Sequence, residues 1–156
     1  MSKCNTPEKK YSVKRVKKLG AGKTTYTRKR LRPNTAYKFR VIAKDASGKV
    51  ISKSRICHAY TGNVKGSRTN VKKLKLSTKS FTLNKGDTAK IKATQTKARP
   101  DKKLCFHAKK LRYRSNNTSV AKVDSSGKIK AVGTGECKVY VQTVNGIWKT
   151  VRVSVN

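Results

Sequence analysis

Apolar and charged residues alternate one by one along most of this chain. Tyr37, Phe39 and Val41 alternate with Lys38 and Arg40. The same period of two recurs at 90–93, 111–114, 138–141 and 151–155. This period sends successive side chains to opposite faces of a β-strand, and no segment of useful length shows a helical period. The sequence therefore predicts an all-β fold.

Turn-forming residues separate these runs. Glycine, aspartate, asparagine or serine cluster at 20–22, 45–48, 85–87, 124–127 and 145–146. Short alternating runs with turns between them are typical of a β-sandwich. The hydrophobic fraction of 35% suits the thin core of such a fold.

A polar, glycine-containing stretch at 61–67 predicts a boundary between two modules. We assign 1–62 to a first module, 63–69 to a linker and 70–156 to a second module. A second irregular stretch, 97–103, is predicted to be a long loop within the second module.

Positive charge is dense along the whole chain. The formal net charge is +35, from 41 lysines and arginines against 6 acidic residues. Residues 1–62 contain 18 basic and 2 acidic residues, and 63–156 contain 23 and 4. Such a charge opposes self-association and attracts polyanions, among them nucleic acid, teichoic acid, acidic polysaccharide and anionic lipid headgroups. The simpler explanation is solubility.

The sequence predicts no catalytic residues, no metal site and no cofactor. The four cysteines, at 4, 57, 105 and 137, have no metal-binding spacing, and His58 and His107 lack partners at ligand spacing. The segment 20–24 is similar to part of a phosphate-binding loop, but Lys17 stands where that loop needs its first glycine. We interpret 20–24 as a turn, with a strand following over 24–30.

Cys137 is in phase with Val139 and Val141, so it is predicted to point inward. A buried thiol is favoured there over a disulfide with Cys105. A Cys4–Cys57 bridge stays open.

Residues 70–156 resemble the bacterial Ig-like domain, group 2. The similar segments, in order, are 81–88, 113–124, 126–135 and 151–155. Tyr113 stands where the family usually has tryptophan. The resemblance implies an Ig-like β-sandwich.

Four glycines are predicted to be structural in this module. Gly86 and Gly127 are assigned to hairpin turns, and Gly133 and Gly135 to a bend that requires positive φ. The predicted core is β-branched: Val120, Val123, Ile129, Val132, Val139, Val141 and Val153.

Residues 11–61 resemble the C-terminal half of a fibronectin type III domain. The segment 31–37 is similar to the approach to its penultimate strand, and the Tyr37 hydroxyl is expected to close onto the backbone as a tyrosine corner. Strands are expected at 11–19, 37–45 and 50–61. Because the family's first strands have no counterpart, Phe39 and Val41 are expected on an uncovered face, where a neighbouring module could pack or exchange a strand.

Strand parity predicts one basic face on the second module. If Leu111, Tyr113, Val139, Val141 and Val153 face inward, six residues face outward: Lys110, Arg112, Arg114, Lys138, Tyr140 and Arg152. Such a face could bind a polyanion; the alternative is an ordinary solvated sheet face that prevents aggregation.

The two resemblances imply a non-catalytic spacer or adhesion module, extracellular or in the cell wall of a bacterium, that binds an anionic wall polymer or polysaccharide. The second hypothesis is a cytoplasmic, basic nucleic-acid-binding protein, and the charge also predicts non-specific contact with nucleic acid. The sequence shows no transmembrane segment and no signal peptide.

Overall fold

The protein is described here from a computed structural model, which covers residues 17–61, 66–105 and 109–156. These residues form β-strands and turns without a helix, which confirms the all-β prediction, and they include no helix able to cross a bilayer. The strands are β1 (Ala36–Phe39), β2 (Ile42–Lys44), β3 (Val50–Lys53), β4 (Cys57–Tyr60), β5 (Arg68–Thr69), β6 (Val71–Leu76), β7 (Ser80–Leu83), β8 (Thr88–Lys90), β9 (Ala93–Lys97), β10 (Lys103–Leu104), β11 (Arg112–Ser115), β12 (Ala121–Val123), β13 (Lys128–Ala131), β14 (Gly135–Gln142) and β15 (Trp148–Val155).

Four strands form the larger sheet of the second module, in the order β11-β14-β15-β7. Strands β11, β14 and β15 pair antiparallel, whereas β7 pairs parallel to β15. The eight-residue strands β14 and β15 pair along their whole length, from Gly135 opposite Val155 to Gln142 opposite Trp148. This long hairpin is the frame on which the candidate site is built.

The opposite layer consists of smaller pieces. Strands β12, β13 and β8 form one sheet, and β6 pairs with β9. Strands β8 and β9 follow each other with only Ile91 and Lys92 between them, so the two pieces adjoin along the chain. A sandwich results because both layers present alternate side chains to one core.

The core is β-branched, as the alternation predicts. Ile129 of β13 and Val139, Val141 and Val151 of the larger sheet are fully buried, and Leu74 of β6 packs in the same cluster. Val120 and Val153 are buried too, while Val123 and Val132 are half-buried. Burying each such side chain contributes about 1.5–3 kcal/mol relative to leaving it exposed.

The first module forms an interrupted hairpin in its described part. Strand β1 pairs with β4 and β2 with β3, and the break falls at Arg40 and Val41. Ser54 bridges the break, because its Oγ accepts the Val41 N–H and its own N–H donates to the Val41 carbonyl. The continuous strands expected at 37–45 and 50–61 are therefore each divided in two.

Two other expectations for the first module are corrected or lie outside the described residues. Residues 17–35 contain turns and irregular backbone, so the strand expected at 24–30 is not formed. Of the strand expected at 11–19, residues 11–16 lie outside the described part and 17–19 are not a strand.

Val41 is 72% exposed, as expected, but Phe39 is half-buried and stacks on Tyr37. Packing or strand exchange with a neighbouring module stays a prediction.

Tyr37 closes the hairpin onto the segment before it. Its hydroxyl accepts a hydrogen bond of 3.0 Å from the Arg32 N–H, five residues upstream. This is the contact that a tyrosine corner makes. The resemblance of residues 11–61 to half a fibronectin type III domain stays a prediction.

The base of the hairpin is bonded to the second module. The Tyr60 N–H donates to Asn70 Oδ1 at 3.0 Å, and Asn70 Nδ2 donates to the Tyr60 carbonyl at 2.7 Å. The His58 N–H donates to the Val144 carbonyl at 2.9 Å. These three bonds fix β4 beside Asn70 and beside the loop between β14 and β15.

The segment expected to be a linker contributes a short strand. Residues 68–69 form β5, which pairs parallel with β10, and residues 62–65 lie outside the described part. The stretch 97–103, which was expected to be a long loop, is only a short turn. Strand β9 ends at Lys97 and strand β10 begins at Lys103.

The glycines separate into two kinds. Gly135 has the predicted positive φ, and Gly86 and Gly127 have positive φ as well. The turn at Gly86 connects β7 and β8, which belong to different sheets, so it is not the predicted hairpin turn. Gly133 does not have positive φ. A Cβ atom there would lie 2.8 Å from the Ser119 carbonyl oxygen, so this position needs glycine for close backbone approach.

Cys57 and Cys137 are free thiols, and Cys105 is buried. Cys137 is buried, as predicted, and accepts a 3.8 Å hydrogen bond from Ser115 Oγ. Cys4 and His107 lie outside the described residues.

Candidate basic and aromatic face

On the outward face of the larger sheet, side chains lie in rows that run across the strands. Such rows form because residues paired across neighbouring strands point to the same face of the sheet. Gln142 of β14 stands between Arg112 and Trp148, and Tyr140 stands between Arg114 and Thr150. In the third row Lys138 faces Arg152. We call these eight residues, together with Arg55, the basic face.

Five of the six residues predicted for this face are brought together. Arg112, Arg114, Lys138, Tyr140 and Arg152 lie on the three paired strands. Lys110 does not, since β11 begins at Arg112 and Lys110 is an exposed residue before it. The inward residues are also as predicted, with Val139, Val141 and Val153 buried and Leu111 and Tyr113 half-buried.

Trp148 is part of the face, and the sequence reasoning missed it. It is 57% exposed, and its ring centroid lies 5.8 Å from that of Tyr140 with a tilt of 56°. The Arg114 guanidinium lies over the Tyr140 ring, 5.1 Å from its centroid, in a cation–π contact. Trp148 is in phase with Arg152 on β15, so the parity that predicted Arg152 also predicts Trp148.

Arg55 reaches the face from the first module, between β3 and β4. Its Nη2 donates to the Tyr113 carbonyl at 3.4 Å, and Arg112 Nη1 donates to the Ile56 carbonyl. An arginine of each module thus donates to a main-chain carbonyl of the other module. With Arg114, Tyr140, Gln142 and Trp148, these two arginines line a depression of about 140 Å³.

Within residues 17–61, 66–105 and 109–156, the arginines of the face have no carboxylate partner. None of the five acidic residues in the described part of the chain forms an ion pair with Arg55, Arg112 or Arg114. Burial, and then the positive charge of Arg55, lower the pKa of the Arg112 guanidinium, which nevertheless stays protonated at any physiological pH. Glu136 is on the same side of β14 but beyond Lys138. The face therefore carries uncompensated positive charge.

Metal-binding and nucleophilic side chains are not grouped at this face. Within the ranges that the structure describes, no three or more histidine, cysteine, aspartate or glutamate residues are placed to hold a metal ion. Burial raises the pKa of the Cys57 thiol, which keeps it in the less reactive protonated form at neutral pH.

The sequence profile of the bacterial Ig-like domain (group 2) matches residues 70–152, the part of the chain that forms the sandwich. The chain belongs to this family. The match confirms the resemblance that the segments at 81–88, 113–124 and 126–135 indicated. No curated protein sequence matches the chain.

Several solved structures are similar to this bacterial Ig-like protein. They include an intimin mutant of EHEC O157:H7 (18% identity, 53% of this chain and 45% of that one, TM-score 0.41). Domains 4 and 5 of the S-layer protein SbsC match with 16% identity over 76% of this chain and 65% of that one, at a TM-score of 0.46. The fibronectin(III)-like modules of Clostridium thermocellum CbhA match with 16% identity over 78% and 63%, at a TM-score of 0.36.

The chain spans less than two thirds of the length of each of these three structures. With identities below 25% and TM-scores below 0.5, the likenesses support no conclusion about function.

Proposed function

We propose that this chain is a non-catalytic module of a bacterial cell surface, extracellular or in the wall, that holds an anionic envelope polymer on its basic face. The observation that carries the proposal is the alignment of Arg112, Arg114, Lys138 and Arg152 on three paired strands. Among the described residues, the two β11 arginines have no carboxylate partner. Membership of a bacterial Ig-like family supports a structural or adhesive module.

The chemistry of the face suits a repeating polyanion. Lysine and arginine side chains on a flat sheet form many weak contacts with phosphate or carboxylate groups, and each contact is screened by salt. Teichoic acid and acidic polysaccharides present such groups at regular spacing. Binding is therefore expected to weaken steeply as salt rises.

The test compares two variants that lose the same charge from opposite sheets. Arg114→Gln/Lys138→Gln/Arg152→Gln alters the basic face. Lys75→Gln/Lys122→Gln/Lys130→Gln alters exposed positions on β6, β12 and β13 of the other layer. Retention on Gram-positive cell walls, with and without teichoic acid, is measured at physiological salt.

The face variant is expected to lose most of its retention on walls, while the matched control keeps most of it. Equal losses would show that total charge, and not this face, controls binding. Selective, tight binding to nucleic acid without wall retention would favour the alternative, a cytoplasmic nucleic-acid-binding protein.

A further inference from the structure

The depression at one end of the basic face differs from the rest of it. It combines three arginines, one of them from the first module, with two aromatic rings and a glutamine, whereas the row of Lys138 and Arg152 is only basic. We infer that this depression binds one sugar residue of an acidic polysaccharide, a ring carrying a carboxylate or phosphate group. The inference rests on the proposed function, because it names the unit of the polymer that the face holds.

The size of the depression limits what it can take. Its volume of about 140 Å³ is well below the range of roughly 300–1,000 Å³ that drug-sized ligands occupy. One ring with a single charged substituent is of the right scale. The remainder of a polymer would lie along the sheet towards Lys138 and Arg152.

Arg55 and Arg112 supply the anion-binding end. Each guanidinium is held by a main-chain carbonyl, Arg55 by that of Tyr113 and Arg112 by that of Ile56. A guanidinium has five N–H donors, so donors remain for a ligand oxyanion. An anion between the two arginines would relieve their mutual repulsion and could bind in the bidentate manner that suits carboxylate and phosphate.

Trp148 supplies the surface for the ring. Its side chain is 57% exposed, so it contributes little to the core. The Arg114 guanidinium covers one face of Tyr140, which leaves Trp148 as the more open ring. The apolar C–H face of a sugar can pack on an aromatic ring, and Gln142 opposite Trp148 offers an amide to its hydroxyls.

The ring geometry favours a sugar over a nucleic acid. A single strand binds by stacking successive bases on aromatic platforms. Tyr140 and Trp148 are tilted by 56°, and one of them is covered by Arg114, so they do not form two platforms for consecutive bases. One open ring beside two arginines matches a single ring with an anionic substituent.

Fluorescence reports on this site directly, because Trp148 is the only tryptophan of the chain. The full chain is titrated with oligogalacturonate, a phosphorylated mannan, an uncharged mannan, a glycerol-phosphate polymer and single-stranded DNA. We expect the two charged saccharides to shift or quench Trp148 emission and the uncharged mannan to leave it unchanged. The carboxylate and phosphate arms show which substituent is preferred.

Variants separate the depression from the rest of the face. Arg55→Gln is expected to weaken binding of the charged saccharide at least tenfold, and its effect on the glycerol-phosphate polymer should equal that of Lys138→Gln, the control with the same charge loss. Trp148→Ala, read by calorimetry, should weaken saccharide binding without altering binding of the glycerol-phosphate polymer.

Two failures are distinguishable. If no polyanion binds at physiological salt, the proposed function fails. If polyanions bind but Trp148 emission stays constant, or Arg55→Gln and Lys138→Gln lose saccharide affinity equally, only the saccharide site is overturned. A DNA response as large as the saccharide response would also overturn it.

Discussion

The Tyr113 ring lies so close to Gly127 that a Cβ atom at position 127 would stand 2.7 Å from Tyr113 Cζ. Gly127 also has a φ of +82°, in the left-handed region where residues with a side chain are strained. Tyr113 belongs to β11 of the larger sheet, and Gly127 to the turn between β12 and β13 of the opposite layer. The aromatic side chain therefore closes one end of the sandwich against bare backbone.

Gly127→Ala is expected to lower the free energy of unfolding by about 2–5 kcal/mol. Left-handed φ costs a residue with a Cβ roughly 1–2 kcal/mol. Displacing the rigid ring adds an overpacking cost of about 1–3 kcal/mol. Urea denaturation followed by circular dichroism measures the change.

Gly86→Ala is the matched control, since Gly86 has a φ of +97° and an added Cβ would meet no atom within 4 Å. Gly86→Ala should lower the free energy of unfolding only by the cost of the left-handed φ, about 1–2 kcal/mol. Equal losses in the two variants would mean that contact with Tyr113 adds nothing.

Tyr37→Phe tests the tyrosine corner. The variant removes the hydroxyl that accepts the Arg32 N–H, and an exposed hydrogen bond of this kind contributes about 0.5–1.5 kcal/mol. Native-state hydrogen exchange should become faster at amides of the β1–β4 pair and stay unchanged at Val139. Tyr26→Phe, at another partly exposed tyrosine, is the control, and an equal effect there would count against the corner.

Asn70→Ala tests the connection between the two modules. Its side-chain amide makes both hydrogen bonds to the Tyr60 main chain, so the variant is expected to lose about 1–3 kcal/mol from the docking of β4. Exchange of the His58 and Tyr60 amides should accelerate well beyond that of Val139. If the two modules of the variant unfold in coincident transitions and amide exchange at β4 is unaltered, this role is refuted.

Asn116→Ala is the comparison for Asn70→Ala. Asn116 Oδ1 accepts the Lys138 N–H at 2.7 Å, so this bond lies within the second module. Loss of this bond should accelerate amide exchange at the β11–β14 edge and leave the exchange of the His58 amide unchanged.

The sequence predicted the basic face because strand geometry leaves little freedom. Once Val139 and Val141 are assigned inward, Lys138 and Tyr140 must face outward. Trp148 follows the same parity and needed only the extension of the pattern to the start of β15. Strand phase is thus a local property that composition and alternation reveal.

Arg55 could not be predicted in the same way. Its place beside Arg112 depends on how the hairpin docks, which the Asn70 amide and the His58–Val144 bond determine. Gly133 is a comparable case, since its need for glycine comes from the Ser119 carbonyl across the fold and not from its own φ. Contacts between distant segments leave no periodic signal in a single sequence.

Asp124 is expected to make stability depend on acid pH. Its Oδ1 accepts hydrogen bonds from Ser126 Oγ and from the Ser126 and Lys128 N–H groups, and the hydroxyl bond is the main reason that its pKa is below the usual 3.8. A carboxyl whose pKa is lower in the folded state stabilises the fold above the unfolded value. That contribution is lost as the pH falls through the folded pKa.

Thermal midpoints should therefore fall as the pH drops below about 4, and Asp124→Asn should reduce this dependence, since its amide oxygen still accepts bonds but does not titrate. Asp101→Asn is the control, because Asp101 makes only an exposed ion pair with Arg99. Midpoints are measured by calorimetry from pH 7 to pH 2. An identical pH slope in the wild-type protein and Asp124→Asn would show that other carboxyl groups, Asp45 first among them because its pKa is lowered too, account for the acid sensitivity.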